Sequence, residues 1–452
     1  MTRLFASGPC LIARAAGLLL LFAGAFPPSA RADDSWVGKT ILVTKPGIRI
    51  GDTNDKNELV YNAALSGISY VVIADKGGFI KVRERGVEGW FARKDAVRLE
   101  DAVVFFSDRI RTDPKHANDY NYRGCAWQLR GEIDIAIKDY DEAIRLEPKY
   151  AAAFSNRGNA WGVKKEYDKA IKDHDEAVRL DPKDFVAFGN RGSAWRAKKE
   201  YDKAIKDFDE AIRLDPKYLS AFASRGLTWS DKRDYDKAIK DFDEAIRLDP
   251  KSSDAFNNRG NAWNNKKEYD KAIKDYDEAI RLRPKSSAAF NNRGNAWSEK
   301  KEYDKAIKDF DEAIRVNPND AYGYGSRAYA WSKTKEYEKA VQDFEQAMRL
   351  NAMDWVQRDY ALFLATCPDP KYRAGKRAFA LACKACDLND NSQNDGSYLA
   401  ARAAAAAEVG DFDEAVKCQE KALEDADYAK DEDAAAKQRL QLYRDKKPYH
   451  EK

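Results

Sequence analysis

The sequence predicts a mostly α-helical solenoid of antiparallel helix pairs, preceded by a small all-β barrel. Three observations predict it. A tryptophan recurs every 34 residues, at Trp127, Trp161, Trp195, Trp229, Trp263, Trp297 and Trp331, a period that fits two short helices with their turns. Within each period, apolar and small residues one or two turns apart give each helix one buried stripe. Ahead of the repeats, residues 35–100 follow a different grammar, with short β-rich runs set between glycines.

The elements follow in chain order. Residues 1–32 read as an export signal: Arg3 and Arg14 form a basic start, residues 15–25 an apolar run, and Ser29-Ala30-Arg31-Ala32 an A-x-A end. The run is too short to span a bilayer comfortably, and no later stretch is apolar enough to do so. The expectation is an exported, periplasmic or cell-envelope chain with no transmembrane segment after cleavage. The whole chain has 79 Lys and Arg against 76 Asp and Glu; residues 1–32 hold three Arg and no acid, which leaves 76 of each sign. A net-neutral chain with its charges interleaved is not expected to bind nucleic acid.

Residues 35–100 carry the β-rich runs Ile41-Leu42-Val43, Tyr70-Val71-Val72-Ile73 and Phe79-Ile80-Lys81-Val82, broken by Gly47, Gly51, Gly77-Gly78, Gly86 and Gly89. Such spacing predicts a small barrel. Residues 101–116 predict a lone helix, a half-repeat that splices this module to the array. Residues 117–354 divide without gaps into seven units of 34. In each unit a mid-helix glycine (Gly158, Gly192, Gly226, Gly260, Gly294) marks a close helix approach, since glycine there costs about 0.5–1 kcal/mol against alanine. The expected facing residues are Ala170, Ala204, Ala238, Ala272 and Ala306, with the Trp filling the space beside them. Pro148, Pro182, Pro216, Pro250, Pro284 and Pro318 close each second helix. An arginine precedes the glycine position in every unit (Arg123, Arg157, Arg191, Arg225, Arg259, Arg293, Arg327), and its regularity predicts a structural brace to an Asp of the second helix, such as Asp275 for Arg259. Residues 355–430 predict two divergent units and residues 431–452 a capping helix and tail.

These motifs resemble two known families. Small residues at unit positions 8, 20 and 27, aromatics at 11, 17 and 24 and proline at 32 are similar to the tetratricopeptide repeat (TPR), which implies a right-handed superhelix of helix pairs, helix A lining the inner face. His174 occupies position 24 of its unit, and a packed core histidine is expected there. "GGFIKVRERGVEGWFARKDAV" (77–97) and "WVGKTILVTKPGIRI" (36–50) resemble a bacterial SH3-like domain. The texts "LATCPDPKYRAGKRAFALACKACDL" (364–388) and "GDFDEAVKCQEKALE…LYRDKKPY" (410–449) resemble a group of exported TPR proteins of planctomycete-type bacteria, which share the order of signal, SH3-like domain, array and tail.

The TPR resemblance implies that unit positions 2, 5, 9, 12 and 13 face inward, with 6 close by. Asparagine crowds these sites: Asn156, Asn159, Asn190, Asn257, Asn258, Asn261, Asn264, Asn265, Asn291, Asn292 and Asn295. A side-chain amide both donates and accepts, so spaced amides can hold an extended peptide backbone. The set is similar to the asparagine ladder of O-linked sugar transferases, with Tyr122, Ser224 and Ser326 departing from it. The inward cations of the carboxylate clamp are missing, so chain-end capture is not expected.

Nothing predicts catalysis, a cofactor or a metal. Only three histidines occur, scattered at His116, His174 and His450, and the acidic pairs repeat with the period as helix surface. Cys125, Cys367, Cys383, Cys386 and Cys418 read mainly as buried small side chains, with a link from Cys418 to Cys383 or Cys386 open. The expected function is a non-catalytic scaffold that binds a protein or peptide partner along the inner face. The alternative is a cell-envelope adaptor whose SH3-like domain, with Trp36, Tyr70, Phe79 or Trp90 in a groove, contacts peptidoglycan or wall peptide while the array recruits an enzyme or assembly factor.

Overall fold

The computed structural model describes residues 35–45, 48–53, 59–64, 69–84, 87–388 and 395–451; the expected export signal lies outside them. The chain forms two compact units, residues 1–250 and 251–452.

The first unit opens with eight strands: β1 (Thr40–Val43), β2 (Arg49–Thr53), β3 (Leu59–Ala64), β4 (Ser69–Val71), β5 (Ala74–Lys76), β6 (Phe79–Glu84), β7 (Val87–Ala92) and β8 (Ala96–Arg98). They make two open sheets, β4-β1-β8 and β3-β2-β7-β6-β5. The expected closed SH3-like barrel is therefore not present. Closure requires every strand to pair on both sides with a consistent stagger, whereas β4, β8, β3 and β5 each pair on one side only among the described residues. The small sheet is committed elsewhere. Ile41 and Val43 face the β core with Ile50, Val72, Ile80, Val82 and Phe91, while Leu42 and Val97 point the other way, onto Ala102, Phe106, Tyr122 and Ala126 of the helices that follow. Short β-rich runs and glycine turns report strands but not which edges meet. The turns themselves are as expected of glycine: Gly77 and Gly78, at φ 59° and 82°, form the two-residue link between paired Lys76 and Phe79, where both positions need positive φ.

The helices of this unit are α1 (Leu99–Thr112), α2 (Ala117–Leu129), α3 (Ile133–Leu146), α4 (Ala151–Val163), α5 (Tyr167–Leu180), α6 (Phe185–Ala197), α7 (Tyr201–Leu214), α8 (Leu219–Asp231) and α9 (Tyr235–Leu248). The second unit continues with α10 (Ser253–Asn265), α11 (Tyr269–Leu282), α12 (Ser287–Glu299), α13 (Tyr303–Val316), α14 (Ala321–Lys333), α15 (Tyr337–Leu350), α16 (Asp354–Thr366), α17 (Gly375–Leu388), α18 (Gly396–Glu408), α19 (Phe412–Ala422) and α20 (Ala426–Arg444). From α2 to α19 the even-numbered helices are the A helices of successive pairs.

The pairs share one design, except α16–α17, where α16 ends at an extended Cys367 and a short 3-10 turn (Pro370–Tyr372) leads on to α17. Helix A ends in a Schellman motif: Glu166 N–H reaches back to Trp161 O (3.0 Å) and Lys165 N–H to Gly162 O (2.9 Å). The first of these two donors in the chain, Lys165 here, must be left-handed. Gly131 and Gly410 fill that place in the first and last pairs, but Lys165, Lys199, Arg233, Lys267, Lys301 and Lys335 fill it elsewhere, at φ 61–65°. The mid-helix glycine faces a ring, and at Gly192 the expected Ala204 as well, through its backbone oxygen. A Cβ on Gly260 would lie 2.6 Å from Tyr276 Cε1, and one on Gly158 2.7 Å from His174 Cε1. The tryptophans join consecutive pairs: Trp161 packs with Ala136, Ile137 and Tyr140 of one cluster and with Ala170 and Ile171 of the next.

The arginine brace is present in every one of the seven units and is wider than expected. Arg157 donates through Nε and Nη2 to Asp173 (2.8 and 2.7 Å) and through Nη1 to Asp141 of the preceding pair (2.6 Å). Arg191, Arg225, Arg293 and Arg327 repeat both arms. One guanidinium thus ties two B helices to one A helix. At Arg402 the places sixteen residues to either side hold Cys386 and Cys418, and Glu414 takes the guanidinium instead (2.6 Å). No disulfide joins the cysteines at 125, 367, 383, 386 and 418 among the described residues.

Candidate functional site

Asn156 and Asn159 lie on α4, and Asn190 on α6. In the second unit Asn257, Asn258, Asn261, Asn264 and Asn265 lie on α10, and Asn291, Asn292 and Asn295 on α12. The 34-residue period returns them to the same helix face, and almost all are half-buried.

Their amides are already linked from one A helix to the next. Asn156 Nδ2 donates to Asn121 Oδ1 (2.9 Å), and Asn121 Nδ2 donates to the Tyr150 hydroxyl (3.2 Å). Asn190 Nδ2 donates to Ser155 Oγ at 3.4 Å. In the second unit Asn292 Nδ2 donates to Asn257 Oδ1 (2.9 Å). A position-6 amide therefore donates to the position-5 side chain of the preceding pair, a tie the sequence period contains but intrahelical spacing does not display. Asn261 Oδ1 accepts from the Tyr276 hydroxyl (2.8 Å), Asn295 Nδ2 donates to the Tyr322 hydroxyl (2.7 Å), and Asn291 Nδ2 donates to Asp320 (2.6 Å). The Oδ1 atoms of Asn264 and Asn291 are buried without a protein donor.

Each linked amide spends one or two of its four hydrogen-bonding places. Holding the amide by one bond fixes its plane and leaves the rest aimed in set directions. Sequence reasoning placed these residues on one face but missed the tyrosine hydroxyls that orient them. Burial pushes Tyr276 well above the ordinary phenol range, so its hydroxyl stays a donor to Asn261 at any physiological pH.

The other sequence candidates are structural. His174 packs inside its repeat, 2% exposed; burial, with Arg191 nearby, lowers its pKa to about 3. Among the described residues no group of three His, Cys, Asp or Glu side chains is placed to hold a metal ion, and no helix is long and apolar enough to cross a membrane. In the β module Trp36 and Tyr70 pack partly buried on the core, and the Arg93 guanidinium lies 5.1 Å from the Trp36 ring centre.

Comparison with known proteins places the repeats. Family models described as tetratricopeptide repeat match residues 151–184, 185–218 and 287–320, 230–287 and 321–352, and one described as TPR repeat matches 129–161. Among solved structures, a tetratricopeptide repeat protein from Parabacteroides merdae is similar at 20% identity, over 52% of this chain and 93% of that one, with TM-score 0.45. Yeast Tom70 is similar at 16% identity, over 76% and 92%, with TM-score 0.45. The Cut9–Hcn1 assembly of the APC/C is similar at 18% identity and TM-score 0.46, the match spanning 46% of that chain. No curated protein matches the chain. The expected kinship with exported planctomycete-type proteins is not upheld: the family matches stop at residue 352 and leave both the β module and the tail outside them. Matched sequence and the repeated helix-pair geometry agree: the array spanning residues 129–352 is built of tetratricopeptide repeats, a scaffold for protein–protein interaction.

Proposed function

We propose that the array holds an extended segment of a partner protein against its A helices through the half-buried asparagine amides. The observation that carries this reading is the pre-set amide row of α10 and α12, where Asn257 and Asn292 are tied at 2.9 Å beside Asn258, Asn261 and Asn295. A peptide backbone offers one donor and one acceptor at each non-proline residue, and amides locked by a first bond lose little freedom on making a second. The export signal read at residues 1–32 supports binding outside the cytoplasm. Amino-terminal sequencing of the chain recovered from its host is expected to begin at Asp33; a chain that begins at Met1 or Thr2 overturns that part.

The binding test is crosslinking and capture from a host envelope extract with the natural chain and with Asn258, Asn261, Asn292 and Asn295 changed to Ala. A partner held only by the natural chain, at matched melting temperature, supports the groove. Equal recovery by both baits sinks it.

A second reading draws on the β module. Val37, Val71, Ile73 and Phe79 are 39–51% exposed there, an apolar set that suits contact with wall peptide. Wall pulldown that survives loss of residues 33–100 would end this reading.

A further inference from the structure

The segment that follows α20 turns back onto A helices of its own unit. Lys446 is left-handed (φ 58°), and its N–H donates to Tyr443 O (3.0 Å) while Lys447 N–H reaches Leu442 O (2.9 Å). Residues 447–451 then run without regular structure. Tyr449 packs against the cluster of Ala403, Ala406, Ala407, Ala415, Cys418 and Tyr443, with the Arg439 guanidinium 5.7 Å from its ring centre. His450 Nε2 lies 2.8 Å from Glu408 Oε2 at the end of α18, and Arg373 Nε sits 3.3 Å from the other oxygen of Glu408. Glu451 N–H donates to Thr366 O of α16 at 2.8 Å. Its carboxylate accepts from Lys333 Nζ of α14 through both oxygens, at 3.1 and 3.0 Å.

The contacts fall on the A-helix face. Tyr329 and Lys333 occupy unit positions 9 and 13, where α10 carries Asn261 and Asn265. Leu362 and Thr366 hold the same places on α16. Tyr329, Leu362, Phe363 and Thr366 also line the small cavity into which Glu451 reaches. Within this unit, a stretch of the chain without regular structure therefore lies across α14, α16 and α18 with a backbone bond, an aromatic anchor and a charge-assisted pair. Charge-assisted bonds are stronger than neutral ones, so Lys333 selects a carboxylate at that point.

We propose that the face of α14, α16 and α18 is a second peptide site. Its ligand is an extended segment with an aromatic residue followed, two residues on, by a carboxylate side chain, and residues 447–451 occupy the site in cis. A partner segment of the same chemistry enters when the resident segment leaves. The proposal rests on the array being a peptide-binding scaffold but not on the asparagines, which belong to other helices.

The test uses the full chain and one probe, a fluorescent amidated peptide with the sequence of residues 446–451, whose only carboxylate is the Glu side chain. Fluorescence anisotropy is expected to show binding at least about tenfold tighter to a His450→Ala/Glu451→Ala chain than to the natural chain. Adding Lys333→Ala, or replacing Glu by Gln in the probe, is expected to remove that gain. Asn258→Ala/Asn292→Ala is expected to leave it unchanged, so that failure of the asparagine groove and failure of this site are read separately. Equal binding to the natural and loosened chains, no binding to either, or binding indifferent to Lys333 overturns the proposal. Hydrogen exchange of the natural chain checks the resident state without any variant: the Glu451 amide should be protected, and exchange at the rate of an unstructured peptide would overturn occupancy in cis.

Discussion

His174 shows how much one side chain can alter in a periodic array. Its ring fills the space where other repeats put Tyr or Phe, against a glycine that has no Cβ to block it. In the folded chain its pKa is lowered to about 3 by burial, whereas an unfolded histidine titrates near 6.5. The unfolded state therefore takes up a proton first as pH falls. This contribution is fully present above about pH 6.5 and is lost progressively down to about pH 3, and at pH 5 the loss is about 2 kcal/mol. His174→Phe is expected to remove this acid sensitivity, read as a smaller drop in the urea midpoint between pH 7.5 and pH 5. The left-handed lysines are the other residue-scale cost. At φ 63°, Lys267 is in a conformation that disfavours any Cβ by about 1–2 kcal/mol. Lys267→Gly is expected to raise stability by about 1 kcal/mol in chemical denaturation, with Gly131 as the natural precedent in the first pair.

At the scale of the element, the brace decides how one helix pair meets the next. Asp309 is 5% exposed and burial pushes its carboxyl up, so it needs the guanidinium beside it; the bonds to Asp309 in turn hold the Arg293 charge firmly in place. Removing one partner of a buried pair strands the other, at a cost of about 3–5 kcal/mol, while an apolar replacement of both is often near neutral. Arg293→Ala is therefore expected to lower the unfolding free energy by about that amount, and Arg293→Met with Asp309→Leu to recover most of it. If the single change costs nothing, the brace is surface decoration. The glycine opposite a ring makes a smaller element-scale prediction. Gly260→Ala puts a Cβ 2.6 Å from Tyr276, so the ring must shift, and overpacking of this kind costs about 1–3 kcal/mol. Ala328, which stands at this position in its own pair, argues for the low end, and circular dichroism melts would read the difference.

For the whole molecule, the 34-residue period makes stability a sum over pairs and their interfaces. Excising residues 287–320, one whole period, is expected to leave a folded chain with unchanged helicity per residue and a lower melting temperature. Excising residues 287–302 only, helix A and its turn, should break the array, because α13 would then meet α11 with no A helix between. Far-ultraviolet circular dichroism of the two deletions checks this. The same deletions probe function, since the first removes Asn291, Asn292 and Asn295 yet leaves the face of α14, α16 and α18.

The sequence by itself determined the repeat, its helices and the face on which the asparagines stand. Helices close their hydrogen bonds over four residues, so a spacing of apolar, glycine and proline positions is enough to place α10 through α15. The arginine–aspartate brace was legible as well, because its partners share a period. Only the tertiary structure decided the rest. Strand pairing is non-local, so the β-rich runs could not report that β1 turns Leu42 toward the helices and leaves both sheets open. The second arm of Arg157, Arg191, Arg225, Arg293 and Arg327, the tie from Asn292 to Asn257 and the return of Glu451 to Lys333 all join residues that become neighbours only when helix pairs stack. Their energies come from burial and alignment in three dimensions, which no local pattern of residues encodes.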